Sequence, residues 1–278
     1  MSEPVLHEQK VRLGEVSYQT YTQGQGDVVL LLHGFTGSAH SWSAIAAALA
    51  KNFTVVTVDI LGHGQTSAPT DCLRYQMEQV ALDLTQVMVA LEHPRFSCLG
   101  YSMGGRLAIA LACLYPQQVK RLIVESGSPG LATAAERQAR RTADEHLADW
   151  LMSVEKEQFV DYWEQLPIFA EYSMLPLDVQ RQVRAIRLSH TKVGLAGSLR
   201  GMGTGAQPSF WDLIESLTLP VLLLTGETDK KFCTIAEKMK SHLPTAQVES
   251  IFAAGHAVHL QQTEVFIQQV HRFLRVPV

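Results

Sequence analysis

The run Val28-Val29-Leu30-Leu31-Leu32 is five apolar residues with no polar position among them. A strand with one wet face alternates apolar and polar residues. An unbroken run instead predicts a strand buried on both faces, the signature of a parallel sheet covered by helices. Similar short runs recur at Phe53–Val58, Phe96–Leu99, Val119–Val124, Val221–Leu224 and Gln247–Phe252. Between them, helical periodicity marks Ala44–Ala50, Met77–Leu91, Gly104–Leu114, Thr234–Leu243 and Glu264–Leu274. A hairpin, Val11–Leu13 with Val16–Tyr21, precedes this alternation. Repeated strand-helix-strand units imply an α/β fold, a mostly parallel central sheet flanked by helices.

The alternation stops between residues 128 and 212, where helical stretches (Ala134–Trp150, Val154–Leu166, Pro176–Leu188) occur without a strand. The expected organisation is a core made of 1–127 and 213–278, with 128–212 inserted as a helical cap. At 278 residues and 46% hydrophobic, the chain has enough apolar material for one large sheet. Its net charge of −4 gives no electrostatic reason to expect nucleic acid or an anionic membrane as partner. No apolar run approaches the roughly 18 residues that span a bilayer, and Met1-Ser2-Glu3-Pro4 does not look like a signal peptide. Cys72, Cys98, Cys113 and Cys233 show neither a C-x-x-C pair nor metal-ligand spacing. No metal site is therefore predicted, and the expected setting is a reducing cytoplasm.

Gly100-Tyr101-Ser102-Met103-Gly104 joins an apolar strand to an Ala/Leu-rich helix. Glycines flanking a serine at a strand-to-helix turn are what a nucleophile elbow requires: the turn is too tight for larger side chains, and the helix N-terminus faces the serine. Asp229 follows the strand Val221–Leu224, and His256 follows Gln247–Phe252. Parallel strands gather their carboxyl ends on one sheet edge, so Ser102, Asp229 and His256 are expected to converge as a catalytic triad. Glu125, also after a strand, is an alternative carboxylate, and His259 an alternative base. Asp59 and His63 are best read as parts of a simple turn. The Gly-rich stretch His33-Gly34-Phe35-Thr36-Gly37 places the Phe35 N–H beside that of Met103, a pair suited to an oxyanion hole. His33 itself is expected to order that loop.

Seven of the nine basic residues between 131 and 212 are arginine, and arginine grips carboxylates with a two-pronged fork that lysine lacks. Arg106, four residues past the serine, adds a guanidinium near the centre.

Narrower motifs accompany the elbow: Gly100-Tyr101-Ser102-Met103-Gly104-Gly105-Arg106, Glu125-Ser126-Gly127-Ser128-Pro129-Gly130-Leu131, and E-R-x-x-R at Glu136 to Arg140. Tyr162-Trp163-Glu164-Gln165, Gly201-Met202-Gly203-Thr204-Gly205 before Gln207-Pro208, and Gly226-Glu227-x-Asp229-x-Lys231-Phe232 complete the set. With these the chain resembles, nearly end to end, the 2-succinyl-6-hydroxy-2,4-cyclohexadiene-1-carboxylate synthases of menaquinone biosynthesis, an α/β-hydrolase-fold family. The resemblance implies a lyase that eliminates pyruvate from an enolpyruvyl cyclohexene carrying three carboxylates. It also implies no cofactor, and Ser102 as a triad-activated base. Substrate contacts are implied at Arg106, Arg140, Arg187, Trp163 and Tyr101. One departure is Gln261-Gln262-Thr263, where the superfamily commonly has an acid and a proline. A serine hydrolase of an ester or carbon–carbon bond, using the same triad, is the alternative activity.

Overall fold

Strands buried on both faces need helices above and below, and the computed structural model, which describes residues 5–276, has that arrangement. Eight strands, β1 (His7–Leu13), β2 (Val16–Gln23), β3 (Val28–Leu32), β4 (Thr54–Val58), β5 (Phe96–Tyr101), β6 (Val119–Glu125), β7 (Val221–Gly226) and β8 (Ala246–Ile251), form one sheet in the order β1-β2-β4-β3-β5-β6-β7-β8. The pairs β1–β2 and β2–β4 are antiparallel; every other pair is parallel. β1 begins at His7, four residues before the apolar signal, because its polar first half pairs through backbone alone along the sheet edge.

The helices are α1 (Ser43–Leu49), α2 (Met77–Ala90), α3 (Met103–Leu114), α4 (Ala134–Ser153), α5 (Lys156–Glu164), α6 (Leu177–Ser189), α7 (Lys192–Met202), α8 (Trp211–Ile214), α9 (Lys230–His242), α10 (Val258–Gln261) and α11 (Thr263–Arg275). The apolar run of β3 splits between two cores. Leu30 and Leu32 join a core on one sheet face with residues of α2, α3 and α9. Val29 and Leu31 join the other with residues of α1 and α11. All four side chains are fully buried, which is why no polar residue interrupts the run. A third, smaller core forms among α4, α5 and α7 around Leu151, Phe159 and Leu199, with Phe35 packed against it.

α7 has no counterpart in the sequence expectations, since Gly194, Gly197 and Gly201 lower its helix propensity by about 1 kcal/mol each. Those glycines let the helix approach closely. An added Cβ at Gly194 would lie 2.1 Å from the Gly62 carbonyl oxygen, and Cβ atoms at Gly197 and Gly201 would lie 2.5 and 2.4 Å from Tyr75. Tyr75 is fully buried, with its hydroxyl donating to the Pro69 carbonyl at 2.8 Å, so the ring cannot swing aside. Gly197→Ala therefore sets a propensity gain of about 1 kcal/mol against an overpacking cost of about 1–3 kcal/mol. The expected outcome is a lower urea midpoint; a raised midpoint would show that Tyr75 yields.

Candidate active site

The centre begins with backbone strain. Between β5 and α3, Ser102 adopts φ 51° and ψ −107°, a conformation that costs a non-glycine residue about 1–3 kcal/mol. It is held there from both sides. The Ser102 N–H donates to the Glu125 carbonyl at 2.8 Å. A Cβ on Gly100 would lie 2.1 Å from the Gly104 carbonyl oxygen, and one on Gly104 2.1 Å from that of Leu32. Only glycine fits at either flank, so the turn projects the serine clear of the sheet.

The structure brings the three predicted side chains together. His256 Nε2 lies 2.9 Å from Ser102 Oγ, and His256 Nδ1 lies 2.7 Å from Asp229 Oδ2. The carboxylate accepts the Nδ1 proton, which leaves Nε2 free to accept from the serine hydroxyl. Asp229 has a second role: its Oδ1 accepts the Phe232 N–H at 3.2 Å and caps α9. That cap explains why α9 starts at Lys230 and not at Thr234. Gln261, which departs from the common superfamily pattern, accepts the Gly255 N–H at 2.6 Å and ties down the loop that carries His256. Glu125 and His259, the alternative partners, are paired with each other instead: His259 Nδ1 is 2.9 Å from both Glu125 carboxylate oxygens.

The Met103 N–H is at the first position of α3, where no intrahelical acceptor exists. The loop bearing Phe35 is pinned by buried histidines. His33 Nδ1 donates to the Gly34 carbonyl at 2.8 Å and its Nε2 accepts the Ile60 N–H at 3.0 Å. His190, at the end of α6, donates from Nε2 to the Thr36 carbonyl at 2.9 Å and accepts the Gly64 N–H at 3.1 Å. Burial pushes both imidazoles down to about 4, and that of His63, between them, is also lowered by burial. Asp59 accepts the Ala39 and Gln65 N–H groups and serves the turn.

Two cavities meet at Ser102. The larger, about 640 Å³, reaches Met103, Trp163 and His256. Its wall carries four bases, Arg106, Arg140, Lys231 and Lys238, against two acids, Glu136 and Asp144. Arg140 pairs with Asp144 at 2.7 Å. Arg106 has no carboxylate partner among the described residues; it donates to the Met202 carbonyl and to Gln207 Oε1, both at 2.7 Å. Burial, and then the neighbouring Arg140, lower its pKa to about 10. The sequence does not mark Lys231 and Lys238 as cavity residues or Gln207 as the holder of Arg106. Lysines scattered along α9 carry no one-dimensional signal of a shared wall.

The smaller cavity, about 110 Å³, lies on the other side of Phe35, Trp163 and Phe169 and includes Tyr101, Tyr172, Arg187 and His259. Arg187 therefore faces a different chamber from Arg106 and Arg140. It pairs with Glu164 at 3.1 Å and lies over the rings of Phe169 and Tyr172. Tyr101 packs between His256 and His259, with burial raising its phenol pKa. Trp163 meets Phe35 edge-on at 5.0 Å and closes the partition. Among the described residues, no three His, Cys, Asp or Glu side chains cluster as metal ligands, and no helix is long and apolar enough to cross a membrane.

The alpha/beta hydrolase fold family matches residues 27–263. A Bacillus subtilis (strain 168) protein provisionally named 2-succinyl-6-hydroxy-2,4-cyclohexadiene-1-carboxylate synthase is 42% identical over 89% of this chain and 90% of its own length. The Serratia proteamaculans (strain 568) synthase of the same name is 30% identical over 92% of this chain and 96% of its own. Among solved structures, MenH from S. aureus is 30% identical, with a TM-score of 0.87 over 99% of this chain and 98% of that one.

Proposed function

The chain belongs to the α/β-hydrolase fold family and, within it, to the 2-succinyl-6-hydroxy-2,4-cyclohexadiene-1-carboxylate synthases, enzymes of menaquinone biosynthesis; from that premise we propose that Ser102, Asp229 and His256 catalyse pyruvate elimination as a proton-abstracting triad. The observation that carries this reading is the hydrogen-bonded chain from Ser102 to Asp229 at the mouth of a cavity with more bases than acids. The substrate is 2-succinyl-5-enolpyruvyl-6-hydroxy-3-cyclohexene-1-carboxylate. His256 takes the Ser102 proton as Ser102 Oγ removes the ring proton α to the succinyl ketone. The electron pair moves through the ring alkene, the double bonds settle as the 2,4-diene, and the enolpyruvyl oxygen leaves. The proton held on His256 is returned to the departing enolate, giving pyruvate. No acyl-enzyme forms. The enolate oxygen is stabilised by the N–H groups of Phe35 and Met103, as a tetrahedral oxyanion would be.

Arg106 and Arg140 hold carboxylates in the larger cavity. Arg187, Tyr101 and Trp163 complete the contacts from the smaller chamber and the partition. Residues 128–212 act as a cap over the core of 1–127 and 213–278. The enzyme works in the cytoplasm, with a small polycarboxylate as its partner and no nucleic acid or membrane.

The test is to supply the enolpyruvyl cyclohexene and follow pyruvate release. No enzyme-dependent release above the spontaneous rate would end the lyase reading, and a burst of acyl-enzyme from a p-nitrophenyl ester would replace it with a hydrolase. Arg106→Ala is expected to lower kcat/KM about 10- to 150-fold, the loss of one charge-assisted hydrogen bond. An unchanged kcat/KM would remove Arg106 from the binding site.

A further inference from the structure

Beside the triad lies a second carboxylate–histidine pair that the elimination chemistry does not use. Glu125 ends β6 and is fully buried, and His259 lies in the single turn of α10 with 4% of its surface exposed. The pair makes three contacts: His259 Nδ1 lies 2.9 Å from each Glu125 oxygen, and the His259 backbone N–H donates to Glu125 Oε1 at 2.9 Å. Burying a carboxylate is costly unless it is fully hydrogen-bonded. An apolar pair would have filled the same space without that cost, so the placement calls for an explanation other than packing.

The position supplies one. The Glu125 backbone carbonyl accepts the Ser102 N–H at 2.8 Å, so Glu125 already anchors the elbow through its main chain. Its side chain grips residue 259, three positions beyond His256. One residue thus ties the serine and the imidazole that must meet it. Tyr101 fills the gap, its ring 5.3 Å from His256 and 4.7 Å from His259. Trp42 covers the far side of His259 at 4.7 Å, leaving the imidazole little room to rotate. Gln261 restrains the same loop from its other end through Gly255.

We propose that Glu125 and His259 are positioning residues for the elimination: a buried clamp that holds the His256 loop to the end of β6, whose last carbonyl holds the Ser102 N–H, and thereby sets the 2.9 Å contact between Ser102 Oγ and His256 Nε2. This rests on the triad reading and deepens it. Misplacement of a catalytic group by about 1 Å can cost 10²-fold in rate, whereas the carboxylate anchors of the larger cavity, Arg106 and Arg140, are held by Gln207 and Asp144 and not by the clamp. Loss of the clamp therefore lowers kcat far more than it changes KM.

The experiment compares His259→Phe, which removes the ring donor, with His259→Asn, whose amide retains a donor near the Nδ1 position. Pyruvate release is assayed at a temperature well below each variant's Tm, and the low-field proton NMR signal of the His256 Nδ1–H bonded to Asp229 is followed in parallel. His259→Phe is expected to lose about 10- to 100-fold in kcat with KM within about 3-fold, and to shift or broaden that signal. His259→Asn is expected to recover most of the loss. A purely structural role would lower Tm in both variants while leaving kcat and the proton signal in place, and that outcome overturns the proposal. Where His259→Phe does not fold, Glu125→Gln carries the same prediction, because a neutral amide holds the imidazole more weakly. The NMR signal is read without substrate. Failure of the wild type to release pyruvate would thus refute the lyase, while the proton signal of the variants would still decide for or against the clamp.

Discussion

Ser102→Ala is expected to lower kcat for pyruvate release about 10²- to 10⁴-fold, the range that a positioned general base contributes. Alanine retains the Cβ and can occupy the same backbone well, so the elbow geometry at φ 51° persists. Binding should persist too, because Arg106 and Arg140 lie on the cavity wall and depend on Gln207 and Asp144, not on the serine. A titration with the cyclohexadiene product is therefore expected to give a Kd close to that of the wild type. Full turnover by Ser102→Ala would sink the triad mechanism. A parallel loss of product binding would instead assign Ser102 a ligand-holding role.

The second large effect concerns acid. His33 and His190 are both fully buried, neutral, and held at about 4 in the fold against the ordinary histidine value of 6.5. Below pH 6.5 the unfolded chain takes up protons that the native state refuses, so stability is complete above 6.5 and declines as pH falls toward 4. At 1.36 kcal/mol per pH unit, each histidine accounts for roughly 3 kcal/mol across that window. Two together are comparable with the whole 5–15 kcal/mol stability of a typical domain. Urea midpoints measured from pH 7.5 to 4.5 should fall steeply, and His190→Gln should flatten the slope by about one proton. A midpoint independent of pH between 6.5 and 4.5 would contradict the neutral, buried assignment. Carboxylates such as Asp27, whose pKa is lowered by Lys120, lose their contribution only below about pH 5, so the slope between 6.5 and 5 belongs to the histidines. Because these imidazoles pin the loop bearing Phe35, activity should fall with the same acid limb as stability.

How much of this is legible in one dimension follows from the range of each interaction. The buried strands announce themselves because both faces of each must be apolar, a constraint written into adjacent residues. The elbow is equally local: Gly100 and Gly104 are required by backbone contacts within a single turn. Asp229 and His256 are readable one step further out, since chain order and strand ends predict where parallel strands deliver their loops. Competition among neighbours is where that legibility ends. Glu125 and Asp229 both follow strands, and His256 and His259 are three residues apart; chain order and strand ends favour Asp229 with His256, but nothing along the chain signals that the remaining carboxylate and imidazole pair with each other. The structure pairs them as Asp229 with His256 and Glu125 with His259.

Other features depend on contacts between distant segments. α7 is masked by its own glycines, whose value lies in the approach to Tyr75 and Gly62, more than a hundred residues earlier in the chain. Arg106, Arg140 and Arg187 look alike as sequence features, yet only the packing of Phe35, Trp163 and Phe169 puts Arg187 in a separate chamber. The sheet, the elbow and the set of ionisable groups around it can be read along the chain, because periodicity and turn sterics act between near neighbours. Which of those groups touch, how each charge is partnered, and how the space beside Ser102 is divided are set by the packing of the folded chain. Those outcomes depend on distances and burial that the order of residues along a chain does not contain.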